Sequence, residues 1–170
     1  MPQRTAPDYT ESLWLTKALR EVARELEALL WGVDEDDVRE RPSEDALSLK
    51  ETAAHLRDCE ESFLEAIQRI ADEDEPRLRA FDPEALLLDN DYRDCDLYEA
   101  LEQFEYLRHR SINLLRSLAP DEWERSGHHP YRGTVTIAHL AREQTEHDLE
   151  HLWQARSLRE ALAGGASEQR

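Results

Sequence analysis

Leu15, Leu19, Val22, Leu26 and Leu30 recur three and four residues apart, the period of an α-helix with one buried face. The same period returns in three further segments. The second carries Leu49, Thr52, Leu56, Cys59, Phe63, Ile67 and Ile70, and the third Leu97, Leu101, Phe104, Ser111, Leu115 and Leu118. The fourth carries Ile137, Leu140, Ala155, Leu158 and Leu162. Four such stripes must be buried against one another, which predicts an all-α four-helix bundle forming a single domain over residues 1–170. The helices are expected at about 9–31, 48–72, 96–118 and 134–162. Asp8-Tyr9-Thr10-Glu11, Ser48-Leu49-Lys50-Glu51 and Asp96-Leu97-Tyr98-Glu99 each place a capping residue three positions before a Glu, the pattern of a capping box. Thr134 reads as the cap of the fourth helix, and Gly32 and Gly164-Gly165 as helix ends.

The connectors differ in character. Residues 33–47 are polar and contain Pro42, and residues 119–133 form a loop that carries His128 and His129. Residues 72–95 are the longest irregular stretch, with Pro76, Pro83, an acidic run and the short apolar piece Ala85-Leu86-Leu87-Leu88. A connector this long inside one domain is either a cover over a site or a mobile segment.

Charge narrows the function classes. With 39 acidic against 21 basic residues the formal charge is −18, a field that repels nucleic acid and anionic lipid. No apolar run reaches the ~18 residues of a membrane span, and Met1 to Pro7 lack the apolar core of a signal peptide. The expectation is a cytoplasmic protein that binds neither nucleic acid nor membrane. Cys59 and Cys95 form no C-x-x-C pair, so they are expected as reduced, buried thiols and not as a zinc site.

A few polar residues fall on the apolar stripes. Glu60 interrupts the second and Arg108 the third. Buried charges need partners, and each is the natural partner of the other. On the fourth helix Gln144, His147 and His151 fall with Ile137, Leu140 and Ala155 in an arc of about 80°. Two imidazoles at i, i+4 stand about 5–6 Å apart at Cβ. They either bond to Glu60, Arg108 or backbone, or bind one metal ion together, and spacing alone leaves both open. His139 is roughly 12 Å from His147 along the axis, His109 lies on the outer face, and His128 and His129 are in a loop. His55, at the edge of the second stripe, is the best third ligand. Three neutral imidazoles would leave an open position on a zinc-like ion. The chain has no G-x-S-x-G motif, phosphate loop or dinucleotide fingerprint, and one inward Glu undersupplies a di-iron site.

These landmarks resemble the DinB superfamily in order and spacing. They are Arg41-Pro42, then Leu49 through His55-Leu56 to Glu60, and Arg108 with Leu114-Leu115 and Leu118. Gly133-Thr134-Val135-Thr136 and His147-Asp148-x-x-His151-Leu152 complete them. The resemblance runs from about Leu13 to Leu158. It implies an up-down-down-up four-helix bundle, often a homodimer, with exposed aromatics such as Trp14 or Trp31 available to the dimer face if they are not core. It implies a divalent ion held by His55, His147 and His151, zinc or nickel ahead of manganese or iron. Related families transfer or isomerise with bacillithiol, mycothiol or glutathione. The implied function is thus thiol-dependent transferase-type chemistry, in which the ion lowers the pKa of a low-molecular-weight thiol that attacks a small-molecule electrophile. A metal-dependent hydrolase using metal-bound hydroxide, and a non-catalytic metal-binding dimer, are the alternatives. Glu60, Arg108 and Gln144 are expected as support for the ligands or as substrate contacts. Asp148 is expected to hold a histidine or cap a surface, and no catalytic residue is assigned.

Overall fold

The computed structural model describes residues 9–168, so the expected Asp8 cap and the residues before it lie outside the described part. The chain runs through α1 (Tyr9–Leu30), α2 (Glu35–Arg39), α3 (Leu49–Asp72), α4 (Pro83–Asp89) and α5 (Leu97–Ser117). A 3-10 turn (Glu122–Glu124), strands β1 (Ser126–His129) and β2 (Gly133–Thr136), and α6 (Ile137–Glu168) follow. The four long helices are those read from the stripes. Leu15, Leu19, Val22, Leu26 and Leu30 of α1 and Leu49, Leu56, Phe63, Ile67 and Ile70 of α3 are all buried.

Direction follows from which residues meet. On α1 and α6, Glu11 meets Arg142 and Glu25 meets Arg156, so these helices run parallel. Glu60 meets Arg108 and Arg57 meets Gln103, so α3 and α5 are parallel too. Leu19 meets Arg108 and Trp31 meets Tyr98, so α1 and α5 are antiparallel, and His55 against His147 makes α3 and α6 antiparallel. The bundle is therefore up-down-down-up. Two core clusters stack along its axis, one around Leu26, Leu56, Phe104 and Leu152, the other around Leu19, Ile67, Leu115 and Ile137.

Helix ends follow local chemistry. At α3 the capping box is complete: Ser48 Oγ accepts from Glu51 N–H, and the Glu51 carboxylate accepts from Ser48 N–H at 2.9 Å. Arg41 pairs with the same carboxylate, tying the preceding connector down. Asp96 caps α5 by accepting from Glu99 N–H.

The connectors depart from expectation. The 33–47 segment contains α2, capped by Asp34. The 72–95 stretch contains α4, with Asp82 as cap and Pro83 at its first turn. The 119–133 loop gives way to an antiparallel hairpin, Ser126 facing Thr136 and His129 facing Gly133. Residues 133–136 are thus strand, and α6 begins at Ile137, where Thr136 Oγ1 accepts from His139 N–H at 3.2 Å. The α6 helix continues through Gly164 to Glu168 instead of stopping near 162. Trp14 and Trp31 are exposed and not core. Among the described residues no helix is long and apolar enough to cross a membrane.

Candidate metal centre

Where α3 and α6 cross antiparallel, three imidazoles meet. His55 and His147 bring their Nε2 atoms to 3.2 Å. The His151 ring lies 4.9 Å from that of His55 and 4.5 Å from that of His147, centroid to centroid. The distribution of burial inverts the sequence reading. His55, expected at a stripe edge, is fully buried, whereas His147 and His151, expected at the stripe centre, are half-buried. The centre of the α6 stripe is Ala141, Thr145, Asp148, Leu152 and Ala155, spaced four and three apart. Small side chains there let α6 approach its neighbours, and the histidines sit at the rim of the contact, where a ligand can reach them.

Burial and the neighbouring rings hold His55 and His151 neutral. Burial first, then His151 and His147, push His55 down to about 3. Burial and then His147 push His151 down to about 4. A neutral imidazole is the form that binds a metal. Moreover, His151 Nδ1 is buried with no hydrogen-bond partner among the described residues. Two Nε2 atoms at 3.2 Å either share one proton or converge on one cation.

Cys59 lies one turn beyond His55 on α3 and joins the cluster. Its Sγ is 3.5 Å from His55 Nε2 and 3.9 Å from His147 Nε2. His55, Cys59 and His147 offer ligand atoms all within 4.8 Å of one another. Burial, then the carboxylates of Asp148, Asp58 and Glu60, raise its thiol above the ordinary range, so without an ion it is protonated. The expectation of a thiol remote from metal chemistry holds for Cys95, whose Sγ faces the Lys50 carbonyl, and not for Cys59.

A charged network lies behind the rings. Arg108 is buried and donates to Glu60 at 2.6 Å, to Asp148 at 2.5 Å and to the Leu19 carbonyl at 2.7 Å. Gln144 donates to Asp148 at 3.0 Å and Glu60 at 3.5 Å. Burial opposes the charge on Arg108, but Asp148 and Glu60 outweigh it and hold its pKa above the ordinary value. Burial likewise opposes the charge on Asp148, yet Arg108 and His147 hold that carboxyl below the usual range. The expected Glu60–Arg108 pair is thus present. Asp148 is not at a surface: it is the second buried carboxylate, and its Oδ1 lies 3.4 Å from His147 Nδ1. Adjacent helical residues point apart, but a ring turned along the axis closes that gap.

Two cavities flank the cluster. One, of about 190 Å³, reaches His147 and is lined by Phe63, Leu78, Phe81, Leu86 and Leu140, with Gln144 at its wall. Of the three residues expected around the ligands, Glu60 and Arg108 do not line it. The other reaches His151 beside Leu47, Leu87, Trp153 and Leu158. Leu86 and Leu87 of α4 each face one cavity, and Tyr92 stands edge-on to His55 with centroids 6.2 Å apart. Residues 72–95 are therefore a cover over the histidines. His129, expected to be solvated, is buried and pins that cover: its Nδ1 faces Tyr131 N–H, and its Nε2 lies 3.2 Å from the Phe81 carbonyl oxygen and 3.3 Å from Phe81 N. Leu78 N–H bonds to the His128 carbonyl and His128 N–H to the Pro76 carbonyl, fixing the segment to β1. His139 and His109 are exposed and apart from the cluster. The heptad-like run of small residues through Asp148 was visible in the sequence. The backbone partners of His129 had no sequence signal.

No curated protein matches the chain in sequence. Among solved structures, YfiT from Bacillus subtilis superposes with a TM-score of 0.83 at 18% identity, covering 96% of this chain and 94% of its own. It is described as a probable metal-dependent hydrolase with an unusual four-helix bundle topology. TT2238, a four-helix bundle protein, matches with a TM-score of 0.62 at 18% identity, covering 86% of this chain and 98% of its own. A DinB-like protein of Bacillus subtilis, YjoA, gives 0.63 at 15% identity, covering 88% and 92%. At these identities the likeness is one of fold. The sequence profile of the DinB superfamily matches residues 18–155, most of the chain, and on that span the chain belongs to the DinB superfamily.

Proposed function

We propose that the chain is a divalent-metal-dependent enzyme that holds its ion with His55, His147 and His151 and activates a small thiol for attack on an electrophile. The observation that carries the metal reading is the meeting of imidazoles from two helices at the mouth of an apolar cavity. A bound divalent ion supplies positive charge that lowers the pKa of a nucleophile beside it. The chain's own residues do the rest. Asp148 accepts from His147 Nδ1, which leaves Nε2 free to face the cluster. Phe63, Phe81, Leu86 and Leu140 bind an apolar substrate body and keep water out. The α4 cover seats it against His147.

A thiol is favoured over a water that a carboxylate would have to deprotonate, because the carboxylates here are engaged. Glu60 and Asp148 are both bonded to Arg108, and Glu143 of the cavity wall is paired with Arg132 and His139. Hydrolysis is the second reading, supported by the description of YfiT. Metal content of tag-free protein tests the first step: wild type is expected to carry about one ion per chain, with His55→Ala and His147→Ala losing it while keeping their helical circular dichroism. A wild type purified with divalent ions yet free of stoichiometric metal sinks the proposal. A panel of electrophiles with and without added thiol separates the chemistries, since turnover without thiol selects the hydrolase.

A further inference from the structure

Resting on that metal reading, we propose that Cys59 is a further ligand of the same ion, making the resting centre a mixed imidazole–thiolate site. The argument is metric. With metal–nitrogen bonds of about 2.0–2.1 Å and metal–sulfur bonds of about 2.3 Å, tetrahedral coordination puts ligand nitrogens about 3.3–3.4 Å apart and nitrogen and sulfur about 3.5–3.6 Å apart. The observed edges are 3.2 Å between the two Nε2 atoms, and 3.5 and 3.9 Å from Sγ to each of them. Three atoms from two helices thus already outline one face of a coordination tetrahedron, and the His151 ring stands 4.9 and 4.5 Å, centroid to centroid, from those of His55 and His147.

The site has consequences for which ion is taken. Three imidazoles leave the full double charge on a divalent ion, whereas a thiolate cancels one unit and binds soft or borderline ions well. Zinc and cobalt are favoured over manganese by such a set. On binding, the Cys59 thiol releases its proton to solvent and the sulfur lone pair goes to the ion. A substrate atom then reaches the ion by expanding the coordination to five or by displacing one of the four ligands.

Cobalt(II) substitution reads the thiolate directly. Full-length, chelator-stripped protein titrated with Co²⁺ is expected to develop the intense near-ultraviolet thiolate-to-cobalt charge-transfer band, saturating at one equivalent. Cys59→Ser is expected to lose that band while keeping the weaker visible bands of cobalt held by imidazoles. Cys95→Ser is expected to keep both. Because the chain has two cysteines, a band retained in Cys95→Ser assigns the thiolate to Cys59 even if Cys59→Ser does not fold. Visible bands without the charge-transfer band in wild type, or a band that survives Cys59→Ser or vanishes in Cys95→Ser, overturn the assignment and leave the three-imidazole site standing. Absence of any cobalt binding overturns both.

Discussion

Replacing Arg108 by Met tests how the buried network is held together. The change leaves Glu60 and Asp148 facing each other, both fully buried, and strips the Leu19 carbonyl of its donor. Two carboxylates so placed cannot both stay ionised, so one takes up a proton in the folded state. Protonating a carboxyl of unfolded pKa ~3.9 costs about 4 kcal/mol at pH 7 and about 1.5 kcal/mol at pH 5, from about 1.36 kcal/mol per unit. The pH 7 figure agrees with the roughly 3–5 kcal/mol lost when one partner of a buried ion pair is removed. It corresponds to about 8–16 °C in Tm for a domain of this size. The signs differ between the two proteins. In wild type the depressed Asp148 contributes stability that is present above its unfolded pKa and lost only as pH falls through its lower folded pKa. In Arg108→Met the folded state binds the extra proton, so stability falls as pH rises. Urea denaturation of both proteins at pH 5, 6, 7 and 8 measures the difference, and Arg108→Lys, which keeps the charge, is expected to show little slope. A loss under about 1 kcal/mol at pH 7, or one that does not shrink toward pH 5, would refute the reasoning.

Three other outcomes follow from the geometry. His55 and His151 are held below the ordinary histidine pKa, so the metal-free protein should lose stability as pH falls from about 6.5 toward 4, where the unfolded chain binds more protons. His55→Gln should flatten that slope in thermal melts. Ser48→Ala removes a cap from α3 and should cost about 1 kcal/mol in denaturant unfolding. Gly127→Ala places a methyl 3.0 Å from Ile70 and 3.1 Å from both Leu78 and the Pro76 carbonyl, a clash expected to cost about 1–3 kcal/mol. Gly164→Ala, on α6 with nothing within 4 Å, should instead stabilise by about 0.5–1 kcal/mol, and equal effects at the two glycines would discredit the contact argument.

The long helices were legible because each buries one periodic face, and the box at Ser48 and the Asp96 cap mark their starts. The pairing of Glu60 with Arg108 was legible for a related reason, since a charge on an apolar stripe has few places to go. The hairpin was not, because strands of four residues containing Gly127, His128 and His129 carry no alternation to read. Of the two roles open to Asp148, holding a histidine and capping a surface, the contact with His147 supports the first. Counting Ala141 and Thr145 as interior along with Ala155 rotates the buried face toward Asp148 and moves His147 and His151 to its rim. Cys59 was set aside for want of a second cysteine, although it stands one helical turn from His55. Its second neighbour, His147, comes from α6, which only the antiparallel crossing of the two helices reveals.

The network and the histidines make one electrostatic unit, and a cation bound there would balance its charge. Two buried carboxylates face one guanidinium, which leaves a negative charge over, and Glu60 Oε1 finds no hydrogen-bond partner among the described residues. A buried charge left uncompensated costs several kcal/mol. The nearest groups on the open side are His147, in contact with Asp148, and through it the His55 nitrogen and the Cys59 sulfur. His55 and His151, held neutral, contribute no countercharge, so the deficit would be met by a proton taken up in the cluster or by a cation bound there. The low pKa values of His55 and His151 oppose the first course. The residues that stabilise the bundle thus also set the sign of what binds at its rim. Stability and metal affinity should fall together in Asp148→Asn, whereas Arg108→Met, in which the proton taken up by one carboxyl leaves the net charge behind the rings unchanged, should lose stability while keeping affinity for the ion.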